Sequence, residues 1–69
     1  MPLTFLKPGE KSLISHISGN AETRQHLIDL GFVIGSEVTV ISELAGNMIV
    51  HIKDSRIAIS KEMAAKIHV

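Results

Sequence analysis

Four histidines are the side chains of this chain best suited to bind a metal ion or to transfer a proton. They are His16, His26, His51 and His68. No two of them lie four residues apart, the helical spacing that places two imidazoles on one face, and the absence of cysteine excludes a thiolate site. His51 and His68 alternate with residues expected to face inward, so we expect both to point to solvent. The pattern predicts no metal site, although strands distant in sequence could still converge on a weak one.

The motifs of catalysis are also missing from the sequence. No serine or histidine stands in a motif that would supply a nucleophile with its activating base and orienting group. A glycine-rich phosphate loop ending in Lys-Ser or Lys-Thr does not occur, so we do not expect GTP binding. We therefore predict a protein that is not an enzyme and that carries no cofactor.

Composition and charge indicate a small domain that lacks the features required for nucleic-acid binding. With 69 residues the chain is near the lower limit for a fold held by an apolar core alone, so we expect one domain, residues 1–69. Hydrophobic residues make up 45% and aromatic residues 3%, which predicts a core of Ile, Val, Leu and Met. Seven basic residues balance seven acidic ones, whereas nucleic-acid binding needs clustered cations and stacking aromatics.

No segment predicts membrane insertion or export. No apolar run approaches the ~20 residues needed to cross a bilayer. The N-terminus lacks the basic start and the long apolar stretch of a signal peptide. We therefore expect a soluble, cytoplasmic protein with no direct membrane insertion.

A short capped helix is the clearest element. Asn20 is a natural N-cap, Glu22 lies at the positive end of the helix dipole, and Leu27 and Leu30 share a face suited to core packing. Gly31 follows where helices often enter the left-handed conformation. Such a helix within a β-rich chain predicts a small sheet or barrel and not a helical bundle.

Short strands surround this helix. Residues 11–17 form a predicted first strand with a bulge or bend, because Ile14 and Ile17 are three positions apart. Further inward positions are Val38, Val40, Met48, Val50, Ile52, Ile57, Ile59, Ile67 and Val69. Turns are predicted at 45–47 and 54–55, and Ser60 should cap a helical turn before the last strand. About five strands and one helix must curl into a partly open barrel to bury this inward face.

Several blocks of the chain resemble FeoA, the small ferrous iron transport protein A. Residues 24–35, RQHLIDLGFVIG, are similar to that family's helix and turn, and residues 3–10 resemble its leader. Ile14, Ile17 and Gly19 fall where its first strand runs, and residues 57–69 are similar to its closing strand, helical turn and strand. Ile34 stands where the family usually has proline, and His26 replaces a usual basic residue.

The resemblance implies an SH3-like barrel in the bacterial cytosol. It also implies a free-standing, non-catalytic protein that acts as an accessory or regulatory partner of FeoB. FeoB is a membrane Fe(II) transporter with a cytosolic GTP-binding domain, and binding to FeoB would recruit this protein to the inner face of the membrane. The same barrel occurs as the C-terminal domain of iron-dependent repressors. The alternative is therefore a free-standing metal-sensing or protein-interaction module of that type.

Two groups of residues are candidates for binding a protein partner. Ile41, Leu44 and Ile49 fall on the outward phase or in the turn beyond the strand that follows the helix. Ile28 flanks the core stripe of the helix, with Arg24 beside it. A contiguous exposed apolar patch marks an interaction surface, whereas scattered exposed apolar residues are ordinary. An open barrel edge with exposed Ile49 would also permit weak self-association.

Overall fold

Antiparallel strands account for most of the ordered backbone in the computed structural model, which describes residues 1–69. The strands are β1 (Lys11–Leu13), β2 (His16–Ile17), β3 (Glu37–Leu44), β4 (Asn47–Ile52), β5 (Ser55–Ser60) and β6 (Ile67–His68). The helices are α1 (Ala21–Asp29) and α2 (Lys61–Ala64). One sheet has the order β1-β3-β4-β5, and β2 pairs with β6 in a second. The predicted mostly β fold, with a helix before β3 and a helical turn before the last strand, is confirmed.

The predicted first strand is divided into β1 and β2, which belong to different sheets. At the break, the Ile14 amide donates to the Ser36 carbonyl at 2.9 Å, and the Gly35 amide donates to the Ile14 carbonyl at 2.8 Å. Ile14 and Ile17 are both buried. The bend expected from their spacing is confirmed, and it turns the chain from one sheet into the other.

The β3–β4 hairpin closes through a two-residue turn formed by Ala45 and Gly46. Their φ angles are both positive, 51° and 81°. Positive values at both residues give a two-residue turn whose twist matches the right-handed twist of the flanking strands. Leu44 pairs with Asn47 across the turn. The predicted turn is confirmed at its first two residues, whereas Asn47 belongs to β4.

The β4–β5 hairpin turns at Lys53 and Asp54. Ile52 pairs with Ser55, so the predicted connection at Asp54 and Ser55 is wrong by one residue. Pairing in this register keeps Ile52 on the core face, and a shift by one residue would move the whole strand's apolar set to solvent. Lys53 therefore takes a φ of 49°, which is uncommon for a residue with a side chain.

Side-chain caps begin both helices, as predicted. Asn20 Oδ1 accepts a hydrogen bond from the Thr23 amide at 2.8 Å, and Ser60 Oγ accepts one from the Met63 amide at 3.1 Å. Gly31, with a φ of 111°, ends α1. Because the chain reverses direction at this glycine, the next residue, Phe32, is buried in the core.

The core combines residues from every part of the chain. The buried side chains are Leu3, Leu6, Ile14, Ile17, Leu27, Phe32, Val38, Val40, Met48, Val50, Ile52, Ile59, Ala64 and Ile67. The predicted inward residues of β3 and β4 are confirmed, and Ile57 and Val69 are half-buried against the cluster. The expectation of an aromatic-free core is wrong, because Phe32 is its largest fully buried side chain.

Candidate docking surface

A shallow groove beside α1 is the most apolar concavity of the surface. It has a volume of about 330 Å³ and is lined by His16, Ile17, Arg24, Ile28, Val33 and Ile34. The side chains of Ile28 and Ile34 are 42% and 67% exposed, whereas Ile17 is buried at the floor. A larger concavity of about 530 Å³ lies along α1, but only one of its six lining residues, Met63, is apolar. Of these two concavities, the groove beside α1 is the one with mostly apolar side chains for a partner protein to contact.

The turn after α1 creates this groove. Phe32 enters the core, and its amide donates to the Leu27 carbonyl at 3.0 Å. The Ser36 amide donates to the Val33 carbonyl at 3.1 Å, so residues 33–36 form a second tight turn. Val33 and Ile34 are thereby left outside the core, beside the exposed edge of the helix at Ile28.

Arg24 adds a positive charge to one wall of the groove. It precedes Ile28 by four residues, so the two side chains lie on the same face of α1. The one ion pair of the protein joins Lys61 and Glu43 at 3.4 Å, so Arg24 has no carboxylate partner within the chain. The groove therefore combines apolar walls with an unpaired guanidinium.

The second group of predicted binding residues lies on the β3–β4 hairpin. Ile41 sits at a β-bulge between Val40 and Ser42, where the register with β4 shifts. Leu44 is 69% exposed, and Ile49 is half-buried on the outer face of β4. None of the three concavities of the surface is lined by Ile41, Leu44 or Ile49.

Two of the four histidines meet in the structure. His16 of β2 pairs with His68 of β6, and their ring centroids are 5.5 Å apart with the planes tilted by 44°. His51 is exposed as predicted, but the expectation that His68 points to solvent is wrong. It is half-buried, with Nε2 3.4 Å from Ser18 Oγ. Sequence spacing carries no signal for this pair, because only the β2–β6 pairing brings its members together.

Two further observations bear on metal and membrane contacts. No group of three or more His, Cys, Asp or Glu side chains converges anywhere in the structure. Neither helix has the length and apolar character required to traverse a bilayer.

Comparison with known proteins gives one consistent family. The family model described as the FeoA domain matches residues 1–69. A protein of Methanocaldococcus jannaschii named for Fe(2+) transport protein A is 38% identical over 68 residues, which cover 99% of this chain and 83% of that protein. The Fe(2+) transport protein A/Fe(2+) transporter FeoB fusion protein of Porphyromonas gingivalis is 31% identical over 71 residues, covering 100% of this chain but 8% of the fusion.

Solved structures agree with the fold. A crystal structure described as the iron uptake regulatory protein FeoA superimposes with a TM-score of 0.88 at 30% identity, covering 96% of this chain and 88% of that one. The Stenotrophomonas maltophilia FeoA complexed with zinc, described as an SH3 domain protein, has a TM-score of 0.85 at 22% identity, with coverages of 99% and 87%. The predicted SH3-like architecture is confirmed.

Proposed function

Because the chain belongs to the FeoA family over its whole length, we propose that it is a non-catalytic accessory protein of ferrous iron uptake. In this proposal it binds the cytosolic part of a FeoB-type transporter and acts in the cytoplasm, at the inner face of the membrane. The Porphyromonas gingivalis relative supplies the main support, since it joins a similar segment to FeoB in a single chain. Fusion keeps two modules at a high effective concentration, which favours a functional contact between them.

We place the contact at the groove beside α1. Exposed Ile28 and Ile34 provide apolar side chains that a partner would cover, and a concave site excludes water better than a flat one. Arg24 has no partner within the chain, so a carboxylate of the transporter domain would pair with it. The β3–β4 hairpin residues Leu44 and Ile49 lack this combination and serve as the comparison surface.

Binding between the purified chain and the cytosolic domain of its own FeoB-type transporter tests the proposal. Ile28→Glu and Ile34→Glu should each weaken binding by about 30-fold, the ~2 kcal/mol typical of a residue central to an interface. Both side chains are exposed, so circular dichroism should show an unchanged fold. Leu44→Glu is the matched control, because Leu44 is also exposed. Ile49→Glu changes a half-buried residue of the same hairpin, so circular dichroism must show its fold unchanged. Both variants should bind like the wild type.

The same titrations distinguish an incorrect docking surface from an incorrect partner. Loss of binding in the hairpin variants alone would move the docking surface to β3 and β4 while leaving the function intact. Absence of any binding by the wild-type chain would instead remove the transporter as a direct partner.

A further inference from the structure

The four-stranded sheet ends at β5, and the outer edge of this strand has no partner. In the order β1-β3-β4-β5, β5 is bonded to β4 alone. Just after β5, the Lys61 amide donates to the Gly46 carbonyl at 3.0 Å. Backbone groups of successive residues point to opposite sides of a strand, so those of Arg56 and Ala58 point away from β4. No other segment of the chain forms a hydrogen bond with them.

The β5 edge lacks the features that usually prevent pairing with another strand. Sheet edges are commonly protected by short length, lysine, proline or a bulge. The opposite edge, β1, has only three residues and includes Lys11. In contrast, β5 has six residues without lysine or proline, and its pairing with β4 has no register shift. The β5 edge is therefore the one that a further strand can extend.

A second copy of β5 is complementary to this edge when the two strands run antiparallel with Ala58 on the two-fold axis. The exposed Ala58 side chains then lie opposite each other and are small enough for close approach. Arg56 lies opposite Ser60 of the second copy, so the two guanidinium groups stay apart. On the inner face, Ile57 lies opposite Ile59 of the second copy, which would cover the half-buried Ile57.

From this geometry we infer that the β5 edge is a homodimer interface, through which two copies join their four-stranded sheets into one sheet of eight strands. The contact uses the same edge on both copies, and the other strand edges are short, so assembly stops at two chains. So small an interface gives a weak dimer. Because the β5 edge is distinct from the groove beside α1, this contact does not depend on the transporter.

Sedimentation equilibrium of the full chain, from about 10 µM to about 1 mM, tests the inference in the range of weak association. The average mass of the wild type should rise from one chain toward two. Ala58→Lys places two ammonium groups opposite each other on the axis and should weaken dimerisation by more than 10-fold. Leu44→Lys introduces the same charge at an exposed residue of the same sheet, away from the β5 edge, and should associate like the wild type.

Hydrogen exchange of the wild-type chain supplies a second measurement that needs no variant. The Ala58 amide should exchange more slowly at about 1 mM than at about 10 µM, because the second copy accepts its hydrogen bond. The Lys11 amide, which forms no hydrogen bond at the β1 edge, should exchange equally at both concentrations.

Three results would overturn the inference. The first is the mass of one chain at every concentration, and the second is unaltered association of Ala58→Lys. The third is loss of association in Leu44→Lys but not in Ala58→Lys, which would assign the contact to the outer face of the sheet.

Discussion

Phe32 shows how much one residue can contribute to a domain of this size. It is one of two phenylalanines, and it is fully buried where the chain leaves α1, whereas Phe5 is exposed. Its position also sets the groove, because the reversal that buries Phe32 leaves Val33 and Ile34 at the surface. Stability and the proposed docking surface therefore depend on the same short turn.

Phe32→Ala should unfold the protein at 25 °C. Truncating a buried phenylalanine costs about 3–5 kcal/mol, and a core of this size supplies a total stability of about the same amount. Circular dichroism in a urea titration is the suitable probe, because the chain contains no Trp or Tyr. Phe5→Ala, at the exposed phenylalanine, should change the free energy of unfolding by less than ~0.5 kcal/mol. A cooperative transition near the wild-type midpoint in Phe32→Ala would show that the site collapses around the cavity.

The stability of helix α1 depends on its capping and packing more than on its length. It has nine residues, fewer than an isolated helix needs to be stable in water. Its one fully buried side chain is Leu27, and its first turn is closed by the Asn20 side chain. The cap therefore stabilises the first turn of α1, and Leu27 anchors the helix, with the wall of the groove, in the core.

Asn20→Ala should lower the free energy of unfolding by about 1 kcal/mol, because it removes the acceptor of the Thr23 amide proton. The shift in the urea midpoint measures this loss. Asn20→Ser retains a side-chain oxygen at the same place and should stay close to the wild type. Equal midpoints for the alanine and serine variants would mean that water accepts the hydrogen bond of the Thr23 amide as well as the residue-20 side chain does.

At the scale of the whole molecule, the two sheets share one core. The small β2–β6 sheet contributes Ile17 and Ile67 to the cluster that also contains the inward residues of β3 and β4. The break between β1 and β2 passes the chain from one sheet to the other. We therefore expect the protein to unfold as a single unit.

Hydrogen exchange of Ile67→Val tests this expectation. The change should cost about 0.5–1.5 kcal/mol, and protection should fall equally at the Ser18 amide, bonded to Lys66, and the Val40 amide, bonded to Glu10. Ile28→Val makes the same kind of change at an exposed position and should leave both amides unaffected. Loss of protection at Ser18 alone would identify the β2–β6 sheet as a separately opening unit.

Local physical chemistry explains which features could be predicted from the sequence. The caps at Asn20 and Ser60, the end of α1 at Gly31 and the alternation along β4 each depend on residues a few positions apart, and all are confirmed. The turn after β4 begins at Lys53, one residue before its predicted position. Turn propensity favours aspartate, but the register of the core face decides which two residues form the loop.

The family, the mostly β architecture and the inward face of most strands could be predicted from the amino-acid order alone, because they follow from local patterns and from the resemblance of whole blocks of residues. Three features became apparent in the folded chain alone: the burial of Phe32, the groove that Arg24 and Ile28 line with Ile34, and the proximity of His16 and His68. Those contacts depend on how the chain reverses after α1 and on the pairing of β2 with β6. Such pairing is set by the shared burial of distant segments, which no spacing along the chain encodes.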